Sequence, residues 1–159
     1  MAENITLRLA RRDDAARIVS VIQRAFVQYD GVLVPPSGAM SETADSVAAR
    51  LADESCVLAI SGTTLAGCVF YKEFGGHLYF SRLAVLPDRR GAGIARRLIA
   101  AVEAAAHDRG IAAVTLGVRI ALPENVAFFT MLGYREIARE THQGFTAPTS
   151  ITMAKRLGA

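Results

Sequence analysis

The chain has 159 residues, 52% of them hydrophobic, and a formal net charge of +3. That length and apolar content fit one domain whose core needs no disulfide or metal staple, and no apolar run is long enough to cross a bilayer. The positive charge is almost all arginine, since Lys72 and Lys155 are the only lysines; it is dispersed, without a basic run interleaved with aromatics, which argues against nucleic acid as a partner.

The opening Met-Ala-Glu-Asn-Ile-Thr lacks the basic-then-apolar order of a secretory leader, so a soluble cytoplasmic protein with no membrane partner is expected. Cys56 and Cys68 fall in apolar, strand-like runs and read as small buried hydrophobes. Neither a disulfide nor a metal is expected.

Along the chain, Thr6 to Leu9 alternates as a short strand, and Asp13 is placed to cap a helix with Ile18, Val19, Ile22, Ala25, Phe26 and Tyr29 at helical spacing. Asp30 to Met40, with Gly31, Pro35, Pro36 and Gly38, is irregular, and a second helix from about Ser41 or Glu42 reaches Ala52. Cys56 to Ser61 and Leu65 to Phe74 read as strands joined by a Gly62-Thr63-Thr64 turn; after Gly75-Gly76, His77 to Leu86 is a fourth strand stopped by Pro87. A helix from Gly93 to Arg109 ends at Gly110, Ala113 to Val118 is a buried strand, and Pro123-Glu124-Asn125 opens a short helix closed by Gly133. Two last strands lie near Tyr134 to Glu140 and Ser150 to Arg156. The order β-α-α-β-β-β-α-β-α-β-β predicts an α/β fold in which helices cover a mixed central sheet.

Between the fourth strand and the third helix stands Arg90-Gly91-Ala92-Gly93-Ile94-Ala95. A strand, a glycine loop and a helix N-terminus aim backbone N–H groups and the positive end of a helix dipole at one point, and Arg89, Arg90, Arg96 and Arg97 add charge there. A pyrophosphate suits such a cradle; a glycine turn that only starts a helix is the competing reading. Gly93 is not followed by the Lys-Ser/Thr of an ATP loop, and Arg96 stands where a dinucleotide fingerprint needs its third small residue.

Arg90, Gly93 and Ala95 fit Arg/Gln-x-x-Gly-x-Gly/Ala, which resembles the acyl-CoA pyrophosphate loop of the GNAT superfamily of N-acyltransferases. Asn125 to Tyr134, Asn-Val-Ala-Phe-Phe-Thr-Met-Leu-Gly-Tyr, resembles that family's Asn-x-x-Ala-x-x-Tyr-x-x-x-Gly-Phe segment with a shorter Asn-to-Ala spacing. The element order is similar to the GNAT fold along essentially the whole chain. The resemblance implies one acetyltransferase domain over 1–159: about seven strands in a mixed sheet, four flanking helices and a splay between strands 4 and 5. It further implies acetyl-CoA as cosubstrate, held by main-chain groups of Leu83, Ala84 and Val85, by Arg89, Arg90, Gly91, Ala92, Gly93, Ile94, Ala95 and Arg96, and by Asn125, Phe128 and Phe129.

The implied reaction is direct transfer of an acetyl group to a primary amine in a ternary complex, the acceptor being a small molecule or a protein amine. The family's tyrosine acid falls at Phe129, which has no proton to donate, so Tyr134 and Tyr79 are the substitutes; a family glutamate base on strand 4 aligns with Tyr79. His77, Tyr79 and Ser81 share a strand face by the two-residue period, which suits a water relay from the amine, or simple packing against a helix. Glu124, Glu140 and His142 are rival polar groups. Tyr29, at the start of an irregular apolar segment, and His142, in the loop before the last strand, are candidate acceptor-binding residues. A slow or non-catalytic acyl-CoA-binding sensor, and an O-acyltransferase on the same scaffold, are the alternatives. A homodimer is allowed by the resemblance and by the final strands.

Overall fold

The computed structural model describes residues 4–158. It contains seven strands and four α-helices: β1 Ile5–Leu9, α1 Ala15–Phe26, α2 Ala44–Asp53, β2 Ser55–Ser61, β3 Thr64–Phe74, β4 His77–Val85, α3 Ile94–Asp108, β5 Ala113–Arg119, α4 Pro123–Met131, β6 Arg135–Glu140 and β7 Ser150–Arg156. The strand order is β1-β2-β3-β4-β5-β7-β6. β1–β2, β2–β3, β5–β7 and β6–β7 are antiparallel, whereas β4 reaches β5 through α3, the crossover a parallel pair requires, so the sheet is mixed as expected. The chain clusters into two compact units: residues up to Lys72 with Phe80–Val102, and Glu73–Tyr79 with the chain from Glu103 onward.

The first unit is built on α1, whose Ile18, Val21, Ile22 and Ala25 are buried with Val47 of α2, Cys56 and Leu58 of β2, and Leu65, Cys68 and Phe70 of β3. Each large side chain removed from water there contributes about 1.5–3 kcal/mol. Both cysteines are free and buried in this core. A hydrogen bond with Cys68, then burial, pushes the Cys56 thiol up, so Cys56 is not a ready nucleophile.

Several boundaries differ from the sequence reading, each for a local reason. The chain makes a 3₁₀ turn over Arg12–Asp14 before α1, so Asp14 and not Asp13 opens the helix. Its buried carboxylate accepts from the Arg11 N–H at 2.8 Å and from both Arg8 Nη atoms at 2.9 and 3.0 Å. α1 ends at Phe26, and Tyr29 closes a separate 3₁₀ turn, Val27–Tyr29. α2 starts at Ala44 because Gly38–Ser41 is another 3₁₀ turn and because Thr43 and Ser46 cap reciprocally: Thr43 Oγ1 accepts from Ser46 N at 3.0 Å, and Ser46 Oγ from Thr43 N at 2.8 Å.

In the second unit, β7 is the central strand, with Leu116 of β5 opposite its Met153, both buried. α4 ends in a Schellman motif: Gly133 at φ +98° donates to Thr130 O at 3.1 Å, Tyr134 N donates to Phe129 O at 3.0 Å, and the Tyr134 and Phe129 rings meet edge to face at 6.3 Å. That bond takes Tyr134 out of the ladder, so β6 begins at Arg135. No helix of the described residues is long and apolar enough to cross a membrane.

The Arg8 hydrogen bonds, opposed by burial and joined by the Arg11 N–H, hold the Asp14 carboxyl at about 2, below its ordinary 3.8. The folded chain thus binds this proton more weakly than the unfolded chain. The stabilisation is whole above pH ~4 and is lost as pH falls from about 4 towards 2. Asp14→Asn should cost about 1–2 kcal/mol at neutral pH, discounted for the partial exposure of Arg8, and flatten the acid limb of the stability curve, as read by urea denaturation at stepped pH.

Candidate active site

The site candidate in the first unit begins on β4 and runs through the glycine loop into α3. Regular pleating stops at Arg82, whose φ of +53° makes it the one left-handed non-glycine residue among those described. For a residue with a Cβ that conformation costs about 1–2 kcal/mol, so the surroundings must hold it. Leu83, Ala84 and Val85 complete the strand, and Leu86 N donates to Ala66 O at 2.9 Å, anchoring its end to β3.

One close approach was missed from the sequence. A Cβ on Gly67 of β3 would stand 2.8 Å from Ala84 O, 3.2 Å from Ile94 Cγ2 and 3.3 Å from Leu98 Cδ1. The missing side chain is what lets the end of β4 and the first turns of α3 lie against β3. A lone glycine in an apolar strand run is the signal that could have found it.

After the 3₁₀ turn Pro87–Arg89, Gly91 and Gly93 take φ of +83° and +80°. A Cβ at either would meet no heavy atom within 4 Å, so backbone conformation and not crowding calls for glycine, and the space over the loop is open. Arg97 N donates to Gly93 O at 3.1 Å, which places Gly93 at the start of the helix and leaves the N–H groups of Ile94 and Ala95 without an i−4 carbonyl. Gly91, Ala92 and Gly93 are exposed. Open glycines, a helix N-terminus and nearby arginines fit the pyrophosphate of a nucleotide-type cofactor.

The arginines divide their tasks. Arg89 Nη1 donates to Ser61 Oγ at 3.3 Å, and exposed Arg96 stands in the first turn of α3. Arg90 donates to Gln28 Oε1 at 2.9 Å and to Ala25 O at 3.0 Å, tying the loop to the end of α1 and to the turn that holds Tyr29. Arg97 reaches back to Ile5 O at 3.0 Å and so supports β1 instead of the loop.

A second cluster not seen in the sequence surrounds the start of the β4 distortion. Arg50 of α2 donates to both oxygens of Glu54 at 3.0 and 3.1 Å and to Ser81 Oγ at 2.8 Å, with its guanidinium 4.3 Å from the centre of the Phe70 ring. Glu42 lies 3.7 Å from Arg50 Nη1 and 3.8 Å from Arg82 Nη2. Burial works to lower the Arg50 pKa, but the Glu54 hydrogen bonds and the charges of Glu54 and Glu42 outweigh it and raise the value.

The other predicted residues lie in the second unit. His77 Nδ1 is 2.7 Å from Thr115 Oγ1, and its ring meets Phe74 edge on. Tyr79 Oη sits 3.5 Å from where a Gly117 Cβ would be, an ordinary contact distance, so the hydroxyl lies over Gly117 of β5. Asn125, Phe128 and Phe129 are on α4, where the two phenyl rings pack edge to face at 5.4 Å and Phe129 is buried. Tyr134 is fully buried and its hydroxyl donates to Glu103 Oε2 at 2.8 Å, while Lys155 Nζ donates to both Glu103 oxygens. Burial first, then the Glu103 contact, pushes the Tyr134 phenol well above its ordinary range. His142 Nδ1 bonds Thr149 Oγ1, which closes the loop between β6 and β7.

A profile of the acetyltransferase (GNAT) family matches residues 22–134. The chain belongs to that family, whose acetyl donor is acetyl-CoA. Among solved structures it is similar to the PaiA N-acetyltransferase from Thermoplasma acidophilum in complex with coenzyme A, with a TM-score of 0.81 at 18% identity over 97% of this chain and 99% of the other. It is also similar to the ribosomal-protein-S18-alanine N-acetyltransferase from Escherichia coli, with a TM-score of 0.79 at 18% identity over 98% and 96%. A GCN5-related N-acetyltransferase from Rhodopseudomonas palustris gives a TM-score of 0.79 at 24% identity over 99% of each chain. No curated protein matches the sequence.

Gly67→Ala should force β3 from the end of β4 and from α3, costing about 1–3 kcal/mol. A lower midpoint in guanidinium unfolding, with unchanged denaturant slope, is the expected result.

Proposed function

We propose that this chain is a single-domain cytoplasmic N-acetyltransferase that takes the acetyl group of acetyl-CoA and passes it directly to a primary amine in a ternary complex. The observation that carries this reading is the glycine loop: left-handed Gly91 and Gly93, open above, at the N-terminus of α3 directly after β4. Main-chain groups of Leu83, Ala84 and Val85 would hold the pantetheine arm as an added strand, and the loop from Arg89 to Arg96 its pyrophosphate. Asn125, Phe128 and Phe129 of α4 belong to the same proposal as cofactor-contacting residues. Acetyl-CoA, when bound, supplies an activated thioester carbonyl.

The chain's own contribution to the chemistry is proton handling. Deprotonating an alkylamine of pKa near 10.4 at pH 7 costs about 4–5 kcal/mol, whereas releasing a thiolate of pKa near 8.5 unprotonated costs only about 2 kcal/mol. A base is therefore the larger need, and we assign it to a water relay through His77 and Tyr79. Thr115 fixes the His77 ring, and the Tyr79 hydroxyl lies over Gly117. Tyr134, whose hydroxyl proton is held in a hydrogen bond to Glu103 and whose pKa burial raises, is an acid poorly suited to release it. Tyr29 and His142 are the proposed acceptor contacts. The acceptor is a small-molecule or protein amine; the name of the Escherichia coli neighbour, an alanine of a ribosomal protein, supports the second class.

Phe129, buried between Phe128 and Tyr134 where the family has its tyrosine acid, favours a second reading in which acyl-CoA is bound and turned over slowly, as in a sensor. A thermal-shift titration with acetyl-CoA, CoA, NADH and ATP tests the cofactor: at about 100 times its dissociation constant the true ligand stabilises by ~2.7 kcal/mol. Stabilisation by the CoA pair with transfer to an amine panel supports the enzyme; the same stabilisation without transfer supports the sensor; a larger NADH or ATP effect overturns both. Tyr79→Phe with His77→Ala should lower kcat and shift the acid limb of the pH profile, where protonation silences a base. Full turnover with an unshifted profile would remove the relay.

Homodimerisation is part of the proposal. All six residues of β6 are exposed at the edge of the sheet, and a two-fold antiparallel pairing would set Arg135 opposite Glu140 and Glu136 opposite Arg139. Sedimentation over a concentration series should show a dimer that Arg139→Glu weakens.

A further inference from the structure

Arg82 is held in its left-handed conformation from several sides by side chains that the reaction does not use. Its carbonyl accepts a hydrogen bond from Cys68 Sγ on β3 at 3.8 Å. Its guanidinium pairs with Glu42 Oε1 at 3.8 Å, and Nη2 comes so close to Gly38 that a Cβ there would stand 2.9 Å away. The preceding residue, Ser81, is fixed by Arg50, which also lies 3.7 Å from the other Glu42 oxygen. A buried thiol from β3, a mostly buried carboxylate from the segment leading into α2 and a glycine from the 3₁₀ turn before it thus converge on one strained peptide.

We propose that Glu42, Cys68 and Gly38 are positioning residues that lock the Arg82 distortion and thereby set the direction of the main-chain groups of Leu83, Ala84 and Val85. This deepens the acetyl-CoA reading and rests on it: an extended ligand bonded to a strand edge tolerates little rotation of the N–H and C=O groups it meets. The lock matters because arginine, unlike glycine, does not stay in the left-handed region unaided. Cys68 is suited to the task because a thiol fills apolar core volume and still donates weakly.

The test separates backbone control from direct contact. Amide hydrogen exchange at Leu83, Ala84 and Val85 reads the lock without any ligand, and calorimetric titration with CoA reads its consequence. Cys68→Ala and Glu42→Gln should speed exchange at these amides and weaken CoA about tenfold, the size of one lost hydrogen bond. Cys68→Ser, which keeps a donor, should stay near the parent. Arg82→Gly, which needs no lock, should bind CoA more tightly than Arg82→Ala. Equal loss in Arg82→Gly and Arg82→Ala would show the side chain acting by contact and overturn the proposal, as would unchanged exchange and affinity in Cys68→Ala and Glu42→Gln. A parent that does not bind CoA would overturn the acetyl-CoA reading and, with it, the role given to the lock, whatever the exchange data show.

Discussion

The first unit depends on bringing main chain unusually close to main chain where β4 ends and α3 begins. Gly67 has no side chain, so Ala84 O and the first apolar residues of α3 approach β3 to distances that a methyl group would forbid. That contact fixes where α3 starts, and the start of α3 fixes the point at which the loop N–H groups and the helix dipole are directed. Gly91 and Gly93 then serve a different need, a left-handed path over open space. The glycines are chemically identical but answer separate constraints, one of volume and two of dihedral angle.

Charged groups in this protein mostly hold the scaffold. Asp14 secures the start of α1 through Arg8 and the Arg11 amide, and Arg90 ties the glycine loop to the last carbonyls of α1 beside Gln28. That second link ties the loop proposed for the cofactor to Gln28, the residue next to Tyr29 of the segment proposed for the acceptor. In the other unit Lys155, Glu103 and Tyr134 form a closed set in which each polar tip has a partner, which is the condition for burying them at tolerable cost. Burial of the tyrosine also lifts its pKa, so the group that looks like a spare acid from the motif is a reluctant one.

β4 combines the two demands. Up to Ser81 it is an ordinary strand; at Arg82 it turns left-handed, and its remaining residues carry the main-chain groups on which a strand-like ligand would depend. Stored strain of this kind survives only if neighbours over-determine it, and α2, β3 and the segment leading into α2 all contribute a contact. The family relation explains why such a loop and helix are present, and the particular residues around Arg82 belong to this chain.

The element order, the type of nearly every element and the phosphate loop could be read from the sequence, because apolar period, glycine and proline act locally and each leaves its mark within a few residues. Helix starts were less legible: Asp13 was expected to cap α1 and Ser41 or Glu42 to start α2, but short 3₁₀ turns moved the first residue of each helix, and a shift of one or two residues alters a period too little to be seen. Gly67, Arg82 and the set of Glu42, Arg50 and Ser81 became visible only in three dimensions. Their partners lie far along the chain, so no local pattern marks them. The sequence by itself determined the family, the succession of strands and helices and the glycine loop that leads into α3; tertiary structure alone decided which side chains restrain the strand beside that loop, since such restraint comes from contacts between distant residues.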